Sequence, residues 1–193
     1  EGKIFKTRKG KYVRPEALGL VTGILSHHKK GFGFVVPDNG IGGDVFVGIR
    51  NIGGAMNGDH VVVRLAGEPE AGRSREGEII RILRRAHGEI VGTLQIRKKN
   101  GYVRPDDPRL NEDIYITNIN FPDAADGDKV VVEITRWADA SRSAQGRIIE
   151  IIGKSGESGS DIKGLIRQYK LSENFAESVL HEAENIPVEI SRI

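Results

Sequence analysis

Short runs of Val, Ile, Phe and Tyr, separated by Gly, Asn, Asp and Pro, recur along residues 20–152. Runs of this composition, bounded by turn-forming residues, are typical of β-strands. The pattern predicts two groups of five strands. The first group lies near residues 20–26, 32–37, 44–48, 60–66 and 77–84, and the second near residues 88–95, 101–104, 113–116, 128–135 and 146–152.

The two groups resemble each other in sequence at a spacing of 69 residues, as from Gly23 to Gly92. Residues 44–47 match residues 113–116, and residues 55–63 match residues 124–132. Two copies of one small domain explain these matches. Five strands in roughly 70 residues favour a closed barrel, because closure removes exposed sheet edges.

Residues 154–193 follow a different pattern. A Gly/Ser-rich stretch up to residue 159 has the composition of a flexible linker. Apolar residues then recur at helical spacing, which predicts two short amphipathic helices packed on the second barrel or on a neighbouring domain. Their apolar stripes are Ile162, Leu165, Ile166 and Tyr169 in the first helix, and Phe175, Val179, Leu180 and Ala183 in the second.

The predicted fold is therefore mainly β, with two tandem five-stranded barrels followed by a two-helix segment. We expect a basic arm or linker over residues 1–18, the first barrel over 19–86, the second over 87–153, and the linker with its helices over 154–193. Because the chain begins at Glu1 rather than at a methionine, we expect it to be part of a longer protein.

Composition and charge narrow the classes of function. The chain has no cysteine, which excludes disulfides, thiolate zinc sites and cysteine nucleophiles. Its sequence has neither a membrane-spanning run nor a signal-peptide core, so we expect a cytoplasmic protein without a membrane partner. Residues 1–16 hold six Lys/Arg against two Glu. Such an arm suits a polyanion, although a solvated linker explains it equally well.

Residues 30–35, Lys-Gly-Phe-Gly-Phe-Val, carry the most specific signal. On a strand, Lys30, Phe32 and Phe34 would share one face, and Phe46 of the next strand could join them. Aromatic rings beside cations bind single-stranded nucleic acid, since bases stack on the rings while lysine meets phosphate. Packing of these phenylalanines in the core is the alternative. The predicted binding residues are His28, Lys29, Lys30, Phe32, Phe34 and Phe46.

This segment, followed by Val-Phe-Val at residues 45–47, resembles the paired nucleic-acid-binding motifs of the cold-shock domain, an OB-fold barrel. Two such domains in tandem, with residues 55–59, the Arg136-Trp137 pair and the helical tail, resemble the N-terminal region of the ribonuclease II/R family of exoribonucleases. A free cold-shock protein has an aromatic near Leu25 and a histidine and an aromatic at about residues 48 and 49. The binding surface here is therefore expected to be smaller.

The resemblance covers essentially the whole chain. It implies two OB-fold barrels that bind single-stranded RNA, or single-stranded DNA, within a Mg²⁺-dependent 3′-to-5′ exoribonuclease. In that family the metal-binding carboxylates lie in a large domain after the barrels. We therefore expect no catalytic residue, metal ligand or cofactor in these residues, and a catalytic domain of the same chain beyond Ile193. Asp123, Asp126 and Asp128 have the spacing of loop ligands, but they match a turn of the first copy.

In the second copy the motif is reduced to Asn-Gly-Tyr-Val at residues 100–103. This barrel could contact RNA, or it could only position the first barrel, as its acidic balance of eleven Asp/Glu against nine Lys/Arg over residues 87–153 suggests. The candidate contacts are Lys98, Lys99, Tyr102, Arg104 and Tyr115.

Two functional hypotheses follow. In the first, the chain binds single-stranded RNA and guides it to the catalytic channel of its parent enzyme. In the second, the barrels position the catalytic domain or a ribosome-associated partner without binding RNA.

Overall fold

The computed structural model contains two closed five-stranded barrels, followed by two helices, which confirms the predicted fold class. The ends of all ten barrel strands differ from the predicted ends by no more than two residues. The structure describes residues 4–6, 10–67, 74–98, 100–110, 112–117, 123–139, 142–154, 156–157, 159–172 and 177–185.

A short hairpin precedes the barrels, where the sequence predicted only an arm or linker. It pairs β1 (Phe5–Lys6) with β2 (Tyr12–Val13) in antiparallel register. Strands of two residues are too short to show an alternating pattern, so no sequence pattern indicates them. Residues 1–3 and 7–9, which include three of the basic residues of the arm, lie outside the described residues.

The first barrel has the strand order β3-β4-β5-β7-β6, and pairing of β3 with β6 closes it. All of its neighbouring strands are antiparallel except β5 and β7, which are parallel. Its strands are β3 (Leu20–His27), β4 (Gly33–Pro37), β5 (Val45–Val47), β6 (His60–Leu65) and β7 (Arg75–Arg84).

The second barrel repeats this order as β8-β9-β10-β12-β11. Each barrel has a glycine at the same crossing of its first two strands. A Cβ atom on Gly23 would collide with the carbonyl oxygen of Val36, and one on Gly92 would collide with that of Arg104. The strands are β8 (Glu89–Arg97), β9 (Asn100–Pro105), β10 (Ile114–Ile116), β11 (Asp128–Arg136) and β12 (Gln145–Lys154).

The turn before β6 and the turn before β11 are built alike. The Asp59 carboxylate accepts the Met56 N–H at 2.9 Å, and the Asp128 carboxylate accepts the Ala125 N–H at 2.7 Å. The two carboxylates differ in the other hydrogen bonds that they accept. Asp59, which is fully buried, also accepts the Ala86 N–H at 2.8 Å and an Arg85 N–H at 3.0 Å.

Arg85 lies in the short connection between the barrels and touches both of them. Its guanidinium donates to Asp59 and to the Gly54 carbonyl of the first barrel. The same guanidinium lies 4.2 Å from the ring centroid of Trp137, which packs against the core of the second barrel. Burial lowers the pKa of Arg85, although Asp59 opposes that effect. This cation–π contact ties the two barrels together.

The two helices are α1 (Ser160–Gln168) and α2 (Glu177–Glu184). Helix α1 packs on β8, β11 and β12, but mainly through its small residues Ser160 and Gly164. Helix α1 therefore packs on the second barrel, one of the two expected arrangements, but through a close contact at Gly164 rather than through its apolar stripe. Ile162, Leu165 and Tyr169 are 65%, 51% and 61% exposed.

In α2, Val179 and Leu180 are exposed as well, and Phe175 lies outside the described residues. Within the described part of the chain, neither helix is long and apolar enough to cross a membrane.

The buried Asp59–Arg85 pair predicts unequal effects of two matched substitutions. Asp59→Ala leaves a largely buried guanidinium without its carboxylate and should lower the free energy of unfolding by about 3–5 kcal/mol. Asp128→Ala removes one charge-assisted hydrogen bond and should cost about 1.5–3 kcal/mol. Urea titrations followed by circular dichroism measure both losses. Equal losses would show that the additional contacts of Asp59, to Arg85 and to the Ala86 N–H, add nothing.

Candidate nucleic-acid interface

The segment between β3 and β4 forms a tight turn. The Gly31 N–H donates to the His28 carbonyl at 2.8 Å, and the His28 N–H donates to the Phe32 carbonyl at 2.7 Å. Gly31 has φ +90°, which favours glycine. Lys30 therefore lies in this turn, and the prediction that it alternates with Phe32 and Phe34 along one strand is wrong, because β4 begins only at Gly33.

Four rings form one surface group on the first barrel, called here the aromatic cluster: His28, Phe32, Phe34 and Phe46. The centroids of the three phenylalanine rings lie 5.6–5.9 Å apart in tilted or edge-to-face arrangements. The His28 ring stacks on Phe32 at 4.5 Å, with 10° between the planes. The structure thus brings together all four aromatic residues that the sequence predicted.

The pleat of β4 and β5 places the rings of Phe34 and Phe46 on the outer surface of the barrel. Val35, next to Phe34, is fully buried, and so are Val45 and Val47 on either side of Phe46. The two phenylalanines themselves are only half-buried. Valines therefore fill the core, and the alternative of core phenylalanines does not describe this barrel.

Two neighbouring positions explain why the cluster has fewer aromatic rings than the binding surface of a free cold-shock protein. Leu25, near which cold-shock proteins have an aromatic, is fully buried in the core. A Cβ atom on Gly33 would lie 2.7 Å from a methyl group of Leu25, so packing against that leucine requires glycine at this position. The residue that faces Phe34 on the outer surface of β3 is Ser26.

Positive charge lies at one end of the cluster. Lys29 and Lys30 are exposed in the turn. The Lys30 N–H donates to His28 Nδ1 at 3.2 Å, which helps to orient the ring. At the other end, Glu76 of β7 is exposed and pairs in register with Phe46. A bound polyanion would therefore place phosphates on the side of the turn.

The second barrel has a smaller aromatic surface at the equivalent register. Tyr102 pairs with Tyr115 as Phe34 pairs with Phe46, and the two tyrosine rings lie 5.4 Å apart. Arg104 forms an ion pair with Asp113 at 3.3 Å, which offsets its charge. Lys98 is exposed at the end of β8, and Lys99 lies outside the described residues.

Two of the three aspartates with loop-ligand spacing accept hydrogen bonds from backbone N–H groups. Asp126 accepts the Ile96 N–H at 2.7 Å, and Asp128 accepts the Ala125 N–H. Among the described residues, no group of three or more His, Asp or Glu side chains is placed to hold a metal ion.

Models of two protein families match the chain. The ribonuclease B OB domain matches residues 23–82, which lie within the first barrel. The cold shock domain matches residues 102–176, from β9 through the end of the second barrel and α1. Both halves are therefore of the OB type.

Relatives with curated sequences extend the match to nearly the whole chain. Over 192 residues, or 98% of this chain, it is 31% identical to ribonuclease R of Vibrio parahaemolyticus. Over 190 residues it is 30% identical to ribonuclease R of Escherichia coli K12. The chain corresponds to the N-terminal tandem OB-fold region of ribonuclease R. It spans 23% of the length of each of these relatives.

A solved ribonuclease R has the same fold. The structure of Mycoplasma genitalium RNase R in complex with ribose-methylated single-stranded RNA superposes with a TM-score of 0.74 over 88% of this chain and 27% of that one. The sequences are 19% identical, so this likeness shows a common fold.

Sequence reasoning missed two features near this surface. The stack of His28 on Phe32 depends on the conformation of the turn, and no residue pattern indicates it. The contact between Arg85 and Trp137 joins the inter-barrel connection to a residue 52 positions further along the chain, so no local spacing indicates it either.

Proposed function

We propose that this chain binds single-stranded RNA on the aromatic cluster of the first barrel. In a ribonuclease R, the cluster would guide the strand toward the channel of a Mg²⁺-dependent 3′-to-5′ exoribonuclease domain in the cytoplasm. The observation that carries this proposal is a set of four partly exposed rings beside two lysines, in a barrel whose core is filled by valines.

The energetics favour stacking. An exposed aromatic cluster leaves apolar area in water, and bases that stack on it cover that area. Each stacked base contributes about 1–3 kcal/mol. Because every base has a π-face, such binding tolerates sequence, and single-stranded DNA should bind to the cluster as well. The structure of a ribonuclease R with single-stranded RNA, named above, supports RNA as the ligand.

Under this proposal, the second barrel binds RNA more weakly than the first barrel does. Its two tyrosines offer half as many rings, and the ion pair of Arg104 with Asp113 reduces its attraction for phosphate. Tyr102 and Tyr115, with Lys98, Lys99 and Arg104, would then add contacts to a strand that the first barrel already holds.

The rival function, positioning of a neighbouring domain or of another partner without RNA, has one observation in its favour. Ile162, Leu165 and Tyr169 present an exposed apolar face on α1. Such a face fits a contact with the rest of a longer protein, and it can coexist with RNA binding on the first barrel.

Removal of two stacking rings tests the proposal. Phe32→Ala combined with Phe34→Ala should weaken binding of fluorescein-labelled oligo(U) by about 30-fold or more, at 1 kcal/mol or more per lost stack. The matched variant Tyr102→Ala with Tyr115→Ala should weaken it by less than about tenfold. Fluorescence anisotropy gives both affinities, and circular dichroism checks the folds. Wild-type affinity in the Phe32/Phe34 variant would favour the rival function.

The lysines predict a change in salt dependence. The affinity for single strands falls with a slope of about −0.7 per phosphate contact in a plot of log K against log salt. Lys29→Ala with Lys30→Ala should therefore make this slope shallower by about 1.4, for two lost contacts. The Phe32/Phe34 variant should keep the wild-type slope. A slope unchanged by the lysine substitutions would remove them from the interface.

A further inference from the structure

A cavity of about 540 Å³ lies between the two barrels, called here the inter-barrel cavity. Sites for small molecules occupy roughly 300–1,000 Å³ and often lie at domain interfaces. Residues 49–50 and 52–56 and His27 of the first barrel form one wall, and residues of β8, β9 and the segments near residues 110 and 138 form the other. The cavity therefore exists only where both barrels meet.

The floor of this cavity is apolar. Ile52 and Met56 of the first barrel line it, together with Ile90 and Leu110 of the second. Each of these four side chains is at most 9% exposed. A flat ring placed on such a floor would exchange its hydration for contact with apolar side chains.

The rim contains charges of both signs. Arg50 and Arg109 line the cavity, and so do Glu112 and Asp139. A bare phosphate would be attracted by the arginines and repelled by the carboxylates. A nucleobase presents both donors and acceptors on its edge, so it fits this mixed rim better than a phosphate alone.

The cavity borders the aromatic cluster at two places in the chain. His27 lines the cavity, and the next residue, His28, belongs to the cluster. Gly31 lines the cavity, and the next residue is Phe32. Ile49, which is 65% exposed, closes the cavity beside Gly31, its side chain 3.3 Å from the position that a Cβ atom of Gly31 would take. The cavity and the aromatic cluster are therefore neighbours along the turn between β3 and β4.

Contacts across the junction hold the cavity open in this shape. His27 Nδ1 lies 2.8 Å from the Arg109 carbonyl oxygen of the second barrel. The Arg109 side chain donates to both oxygens of Asp107. Burial would raise the pKa of Asp107, but these hydrogen bonds outweigh it and hold the pKa below its ordinary value. A preformed site loses little free energy to ordering when it binds.

We infer that one base of the bound strand inserts into the inter-barrel cavity, next to the bases stacked on the aromatic cluster. This inference rests on the proposed RNA binding and adds a second kind of contact to it. Stacking on the cluster tolerates any base, whereas an enclosed cavity with polar groups at its rim contacts the edge of one base.

Two small probes separate a base site from a phosphate site. In ¹⁵N spectra of the whole chain, uridine 5′-monophosphate should shift the amide signals of Gly53, Gly54 and Ala138, which line the cavity. Ribose 5-phosphate, which has the same phosphate and sugar but no base, should leave them in place. Equal shifts with both probes, or no shift of these signals with either, would overturn the inference.

A matched pair of substitutions tests the cavity with a longer ligand. Ile49→Asn makes the mouth polar and should weaken binding of labelled oligo(U) about three- to tenfold, through loss of part of an apolar contact. Ile41→Asn is the control, because Ile41 is 70% exposed on the same barrel and does not line the cavity. It should keep wild-type affinity.

The outcomes distinguish this inference from the proposed function. If oligo(U) binds to the wild type and loses affinity in the Phe32/Phe34 variant, but Ile49→Asn equals Ile41→Asn, only the cavity site is wrong. If the wild type does not bind oligo(U) at all, the proposed function fails together with the inference.

Discussion

The pleat of two short strands determines the surface of the first barrel. Val35, Val45 and Val47 point inward and are fully buried, so the residues between and beside them must point outward. Phe34 and Phe46 occupy those outward positions, and Phe32 and His28 join them from the turn. Because the aliphatic core closes the barrel without them, the aromatic rings remain available to a ligand.

The same scaffold presents a different surface in the second barrel. Strand order and register are repeated, so Tyr102 and Tyr115 meet where Phe34 and Phe46 meet. The surfaces differ in ring number and in the pairing of their cations. The barrels share a junction at Arg85, and the inter-barrel cavity lies between them. Binding properties thus follow from a few outward side chains on one repeated frame.

The sequence predicted the ten strands well, because runs of Val, Ile, Phe and Tyr are bounded by turn-forming residues. It could not place Lys30, whose position depends on where β4 begins, nor the stack of His28 on Phe32. The packing of α1 through Gly164 could not be predicted either, because helical periodicity indicates the widest apolar stripe as the packed face. Contacts between distant residues, such as Arg85 and Trp137, leave no local pattern.

The central claim is that RNA lies on the aromatic cluster of the first barrel. Photo-crosslinking of an oligo(U) that contains 4-thiouridine to the intact chain, with the crosslinked peptides identified by mass spectrometry, tests it most directly. We expect crosslinks in the peptides that contain Phe32, Phe34 and Phe46. Crosslinks confined to the second barrel or to the helices, with none in these peptides, would contradict it.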